Sequence, residues 1–286
     1  MPVAVVEDLL ERIEKAESLD SVARPLAKAV AKVVPHGPVK DALSGTWLGH
    51  PLHPLLTDVA IGSWTSAFFL DVFGGEATEA GADSLVAAGV VSALPTALAG
   101  LSDWSDLLGA ERRVGLIHAT ANVLAVTCYG LSWVARRKGD RSRGVALGLL
   151  GASIATVGGY LGGHLSYRQG VNVNRNAWEE GPEGWVDVAA EDDLAEGRAV
   201  AADADGVRVC LVKQGTEVHA IADVCGHAGG PLHEGELDGE GRITCPWHGS
   251  TFRVQDGAVV HGPATSAQPD FEARVADGRV SVRRRS

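Results

Sequence analysis

Cys225-Gly226-His227 and, seventeen residues further on, Cys245-Pro246-Trp247-His248 decide how this chain is read. Each pair brings one thiolate and one imidazole within about a turn of chain. Thiolates suit iron and zinc, and neutral imidazoles complete a four-ligand set. A zinc finger places both cysteines early and both histidines late. The order here is Cys, His, Cys, His, which does not fit that arrangement. Nor do the four read as stray core residues, since the chain has only 4 Cys and 10 His and spends them in two tight pairs.

The flanking residues sharpen the reading. Cys225-Gly226-His227-Ala228-Gly229-Gly230-Pro231-Leu232 and Cys245-Pro246-Trp247-His248-Gly249-Ser250-Thr251-Phe252 resemble the two cluster loops of Rieske ferredoxins and Rieske oxygenase domains. The resemblance runs from Gly184 to the C-terminus. It implies an all-β domain with a [2Fe–2S] cluster, one iron on Cys225 and Cys245, the other on His227 and His248. It places Trp247, Gly249 and Ser250 beside the cluster, and gives Gly226, Gly229 and Gly249 the role of bringing backbone N–H groups to the sulfides. High-potential members carry two extra loop cysteines; the matching positions here are Gly230 and Trp247. Ser250 matches their serine, and Phe252 stands where they have a hydrogen-bonding tyrosine. Fewer hydrogen bonds to sulfur mean a lower potential, toward the floor of about −150 mV for this class.

Two domains are expected of 286 residues. The formal net charge of −11 argues against nucleic acid, because no basic stripe is available to phosphates. It suits a basic redox partner instead. Cys128 and Cys210 read as small buried hydrophobes rather than a disulfide framework. No cleavable signal is expected at the start, where charges run throughout.

Residues 1–45 form an amphipathic helical extension. Leu9, Leu10, Ile13, Val22, Leu26, Val30 and Val33 share one side, with a break near Ser18–Ser21 and Ser21 as a cap. Packing on the rest of the protein fits this face better than lying on lipid. Four apolar stretches fill residues 46–168: Leu55–Phe73, Ser84–Leu101 with a kink at Pro95, Val114–Ala135 and the glycine-rich Val145–Leu165. Each is long enough to cross about 30 Å of hydrocarbon, which favours a four-helix transmembrane bundle over a buried soluble one. The composition turns polar over the linker, 169–183, before the domain at 184–286. There, strands are expected at Trp185–Ala189, Val207–Val212, Glu217–Ala222, Gly241–Thr244, Ser250–Val254, Phe271–Val275 and Arg279–Arg283. His219, His233 and His261 read as surface residues.

Gly49-His50-Pro51-Leu52-His53-Pro54 resembles the His-Pro-x-His-Pro signature of a family of four-helix bacterial membrane domains with no assigned activity. Gly100-Leu101-Ser102-Asp103, His118 with Asn122, and Gly162-Gly163-His164 match its later marks, over residues 45–175. Four spans place His50, His53, His118 and His164 near one membrane face. Ionisable residues at such depth suggest function. His118 with His164 would suit the two axial positions of a haem b; pairing to Asp58, Asp103 or Asn122 is the plainer use of the same groups.

The expected protein is therefore an integral protein of a bacterial inner membrane, held by membrane lipid, carrying single electrons. Its partner is a reductase, an oxidase or an oxygenase component. The loop Arg136–Arg143 argues for an exterior cluster domain, and Lys40, Arg112, Arg113, Arg168 and Arg175 argue for a cytoplasmic one, which the lack of a twin-arginine start favours. A redox sensor and the electron-supplying part of an oxygenase system are the alternatives. A self-contained oxygenase would need a mononuclear-iron domain after the cluster. A homo-oligomer is compatible with all three.

Overall fold

Long apolar runs fold as helices because a helix satisfies every backbone N–H and C=O within one segment. The computed structural model describes residues 3–285. Its helices are α1 (Val3–Lys15), α2 (Asp20–Val33), α3 (Pro38–Ser44), α4 (Leu52–Phe73), α5 (Glu79–Trp104), α6 (Gly109–Arg137) and α7 (Arg141–Gly163), which runs on into a π-helical turn, His164–Arg168. The chain groups into two units. One holds the chain up to Val34 and Leu52–Val171, the other Pro35–Pro51 and everything from Asn172.

In the first unit, α4 to α7 are each long and apolar enough to cross a membrane. Only 17% to 28% of their most apolar windows is buried inside the bundle. Phe69, Leu94, Leu98 and Val123 face outward, each more than half exposed. A surface of that kind suits hydrocarbon, not water. The helices pack chiefly as α4 on α5 and α6 on α7. Their contacts are small: Ala60, Ala67, Val86 and Ala93 surround a stacked Trp64–Tyr129 pair, centroids 4.1 Å apart. Gly89 gives Trp64 its room, since a Cβ there would lie 2.2 Å from the indole nitrogen. Pro95 lies within an unbroken α5.

Asp71, an oddity in an apolar run, is explained at one end of this bundle. Arg136, its side chain 1% exposed, reaches Asp71 at 2.5 Å and Asp83 at 2.7 Å. Arg141 joins Asp71 and Glu79, each at 2.8 Å. The network ties α4, α5, α6 and α7 together. The amphipathic helices α1 and α2 pack on the bundle as expected: Leu10 meets Val114, Leu161 and Leu165, and Ala23 and Ala27 meet Trp104. Arg113 donates to both carboxylate oxygens of Asp20, at 2.8 and 3.0 Å. Ser21 is no cap. Its hydroxyl donates to the Ser18 carbonyl, and α2 begins at Asp20 after a 3-10 turn, Glu17–Leu19.

The second unit holds α3 and ten strands: β1 (Val186–Ala190), β2 (Ala199–Ala204), β3 (Val207–Gln214), β4 (Glu217–Ala222), β5 (Glu236–Leu237), β6 (Arg242–Thr244), β7 (Thr251–Arg253), β8 (Val259–His261), β9 (Asp270–Ala276) and β10 (Arg279–Arg284). Six form an antiparallel sheet in the order β1-β10-β9-β4-β3-β2, and its edge strands β1 and β2 come into contact, curling it toward a barrel. Four form a smaller sheet, β5-β6-β7-β8. β2, β5 and β8 were not expected from the sequence: β2 is alanine-rich, and the other two have only 2 and 3 residues. The extension expected over 1–45 divides after Val34. Asp41 accepts from Gly262 N at 2.8 Å and from His261 Nδ1 at 2.9 Å, and Thr46 donates to the Ala264 carbonyl at 3.3 Å, so α3 groups with the sheets.

Candidate metal centre

The two pairs of candidate ligands sit on loops with the same hydrogen-bonded frame. In the first, Cys225 N donates to the Gly230 carbonyl and Gly229 N to the Cys225 carbonyl, both at 2.8 Å. In the second, Cys245 N donates to the Ser250 carbonyl at 2.8 Å and Gly249 N to the Cys245 carbonyl at 3.1 Å. The fifth residue of each loop is a left-handed glycine, Gly229 at φ 86° and Gly249 at φ 72°, which closes the turn without a Cβ penalty. One difference separates the frames. The histidine is third in the first loop and fourth in the second.

The glycine N–H groups do not face sulfur as expected. The N–H groups of Gly229 and Gly249 close the turns, and that of Gly226 donates to Gln268 Oε1 at 3.0 Å. The groups aimed at sulfur are the N–H of His227 and Ala228 toward Cys225 and of Trp247 and His248 toward Cys245. Gly230 is required for a different reason: a Cβ there would stand 2.7 Å from Cys245 Sγ and 3.0 Å from the Trp247 ring.

Cys225 and Cys245 are buried and share a hydrogen bond. The bond and burial push the Cys225 thiol up, while the same bond lowers that of Cys245. His227 and His248 approach with ring centroids 5.1 Å apart. Two imidazoles sharing one tetrahedral ion through bonds of about 2.1 Å would stand about 5 Å apart. Burial, then the neighbouring His248, Lys40 and Arg175, lower His227 to about 3, keeping it a neutral donor. Its Nδ1 is buried and makes no hydrogen bond among the described residues. Nor do any three His, Cys, Asp or Glu among the described residues group around a single ion. Four donors divided two and two, with one buried ring nitrogen spare, fit a binuclear thiolate–imidazole cluster.

Ser250 is fully buried and its Oγ accepts from Ala264 N at 2.9 Å, which leaves the hydroxyl hydrogen to donate. Phe252 is fully buried in the core with Ile243, Leu232, Cys225 and Cys245. Trp247 is 55% exposed beside the loops. All four cysteines are free; Cys210 is buried as expected, but Cys128 is only half-buried.

Several supports were not legible in the sequence. Gln268, 2% exposed, accepts from Gly226 N and Asn176 Nδ2 and donates to the Ala222 and Val224 carbonyls. Asp223 accepts from His233 N at 2.8 Å and Arg208 Nη2 at 2.7 Å, fastening the far end of the first loop. His233, expected at the surface, is half-buried because its Nδ1 lies 2.9 Å from Asp223; His219 is half-buried too, and His261 is exposed. Asn174 and Asn176 of the expected linker pack on Gly226, so the polar composition there serves the loop.

The histidines expected in the membrane domain do not share one site. His164 Nε2 lies 2.9 Å from Glu14 Oε1, and exposed His50 reaches only the neighbouring Pro51 carbonyl. His118 lies instead beside His53, centroids 6.3 Å apart. The expected pairing of His118 with His164 is thus replaced by His118 with His53.

The description "Rieske [2Fe-2S] domain" matches residues 184–272, and "Predicted membrane protein (DUF2231)" matches residues 49–175. Mouse apoptosis-inducing factor 3 is 33% identical over 91 residues, 32% of this chain, and the chain spans only 15% of that protein. The ferredoxin component of the alkene monooxygenase system of Xanthobacter autotrophicus is 35% identical over 98 residues, 34% of this chain and 80% of the relative. The 3-phenylpropionate/cinnamic acid dioxygenase ferredoxin subunit of Escherichia coli is 30% identical over 90 residues, 32% of this chain and 84% of the relative. Loop frame, donor set and likeness agree: through its C-terminal part the chain belongs to the Rieske [2Fe-2S] family, and its residues 49–175 match the predicted membrane protein description.

Proposed function

We propose that this protein is a membrane-anchored one-electron carrier, with Cys225 and Cys245 on one iron and His227 and His248 on the other. The observation that carries the reading is the meeting of two buried thiols and two imidazoles, rings 5.1 Å apart, on matched loops. Such a cluster, when bound, supplies a single-electron couple. The chain's own residues set its surroundings. N–H groups of His227, Ala228, Trp247 and His248 stabilise thiolate charge, the Ser250 hydroxyl adds a donor, and Phe252 withholds one, which keeps the potential in the lower part of the class range.

The partner is another redox protein. Two relatives are ferredoxin components of a monooxygenase and a dioxygenase system, which supports an oxygenase component as acceptor and a reductase as donor. The anchor sits in a bacterial inner membrane with the cluster domain on the cytoplasmic side. In support, Arg136 and Arg141 of the opposing basic loop are engaged with Asp71, Asp83 and Glu79, so bundle packing already accounts for them.

The test is EPR of dithionite-reduced, detergent-purified protein. A rhombic signal with the low average g of histidine ligation is expected, lost in Cys225→Ser and in His248→Ala. A wild-type protein that stays EPR-silent and colourless after anaerobic iron loading sinks the reading.

A further inference from the structure

The carrier function leaves one group of residues without a task. His53, Gly100, His118, Asn122 and Gly162, scattered over 110 positions, meet at one place in the bundle. His53 Nδ1 lies 2.9 Å from the Thr96 carbonyl of α5, and His118 Nδ1 lies 2.8 Å from the Gly158 carbonyl of α7. A carbonyl only accepts, so both rings carry their hydrogen on Nδ1 and both Nε2 atoms hold a lone pair. Fixing one ring nitrogen on a backbone carbonyl is how proteins orient histidines for a metal.

Space is made for both rings. A Cβ on Gly100 would lie 2.7 Å from His53, and one on Gly162 would lie 3.1 Å from His118. Asn122 does not block His118. Its amide nitrogen lies 3.3 Å from Nδ1 and 3.2 Å from Nε2, so it sits over the ring face and off both lone-pair axes, and it donates to the His118 carbonyl at 3.0 Å. His53 Nε2 makes no hydrogen bond among the described residues.

The separation of the rings indicates what they hold. Two imidazoles on opposite sides of one ion, with bonds of about 2.0 Å, have centroids about 6.3 Å apart; these are 6.3 Å apart. No third His, Cys, Asp or Glu joins them among the described residues. A bare ion would be left with two protein donors, whereas porphyrin iron has four ligands already and needs two more. Buried polar pairing accounts for both Nδ1 atoms, gives His118 Nε2 only the off-axis Asn122 amide and leaves His53 Nε2 without a partner among the described residues.

We propose that His53 and His118 bind a haem iron through their Nε2 atoms, between α4 and α6. The test uses the full-length protein, expressed with δ-aminolevulinate and purified in detergent, followed by pyridine haemochrome, total iron and EPR. A single haem per chain is expected, with a reduced α-band and one iron beyond those of the cluster. Both His53→Leu and His118→Leu should lose the haem and keep the Rieske EPR signal; His164→Gln should keep both. Wild-type protein with a full cluster and no haem overturns the proposal, as does an extra metal outside a porphyrin, or haem surviving both leucine variants. Wild-type stoichiometry decides even where a variant fails to fold. Loss of the cluster signal with haem retained would count against the carrier reading and not against this one.

Discussion

The bundle and the β unit are held together by different means. In the β unit the interior is apolar: Leu211, Ile221, Ile243, Phe252 and Val254 are at most 1% exposed and pack as continuous clusters. In the bundle the buried positions are mostly Ala, Gly and Ser, and the larger apolar side chains face outward. A hydrocarbon surrounding removes the hydrophobic force between helices, so close contact of small residues and internal polar pairing take over. In water the same force is the main source of stability.

Four measurements bear on that contrast. The largest effect is expected from Arg136→Met. It leaves Asp71, only 6% exposed, facing Arg141 alone. Breaking a buried pair in this way costs about 3–5 kcal/mol, read as loss of the folded bundle in detergent denaturation while the cluster EPR signal persists. Equal stability of wild type and variant would deny the network its role. Leu94→Arg comes next. Leu94 is 63% exposed in the middle of α5, where a water-facing site would tolerate arginine. In lipid the change costs about 2.5–3.5 kcal/mol of insertion free energy, measurable by glycosylation-reporter insertion, and a neutral result would speak for a soluble bundle.

Acid gives a third, smaller effect. Hydrogen bonds from Arg113 hold Asp20 well below the usual carboxylate range. A carboxyl depressed by folding contributes stability above its unfolded value near 3.9, and that contribution is lost as pH falls through the folded value. Thermal unfolding in detergent should therefore show wild type holding its margin over Asp20→Asn down to about pH 4 and losing it progressively below that; a margin unchanged down to about pH 2 would break the linkage. The smallest is Phe252→Tyr. The added hydroxyl should raise the midpoint potential with little change in stability. A redox titration showing no rise would deny Phe252 its part in keeping the potential low.

How much was legible follows the same division. The four apolar runs, the ligand quartet and the strands Glu217–Ala222 and Arg279–Arg284 carry their signal in neighbouring residues, through period, run length or spacing. β2 was missed because alanine gives no strand signal, and the Ser21 cap failed because a 3-10 turn moved the start of α2 to Asp20. Asp71 read as a flaw in the first span until its arginine partners were visible. Gln268 gave no sign at all: it lies more than 40 residues from Gly226 and 92 from Asn176.

Donor types, their two-by-two order and the membrane-length helices follow from residue identity and local spacing alone. Which N–H groups face sulfur, that α3 joins the β unit, and that His118 stands beside His53 while His164 goes to Glu14 became visible only in the folded chain. Those are contacts between residues far apart in the chain, and only chain packing sets which of several equally polar candidates comes within bonding distance.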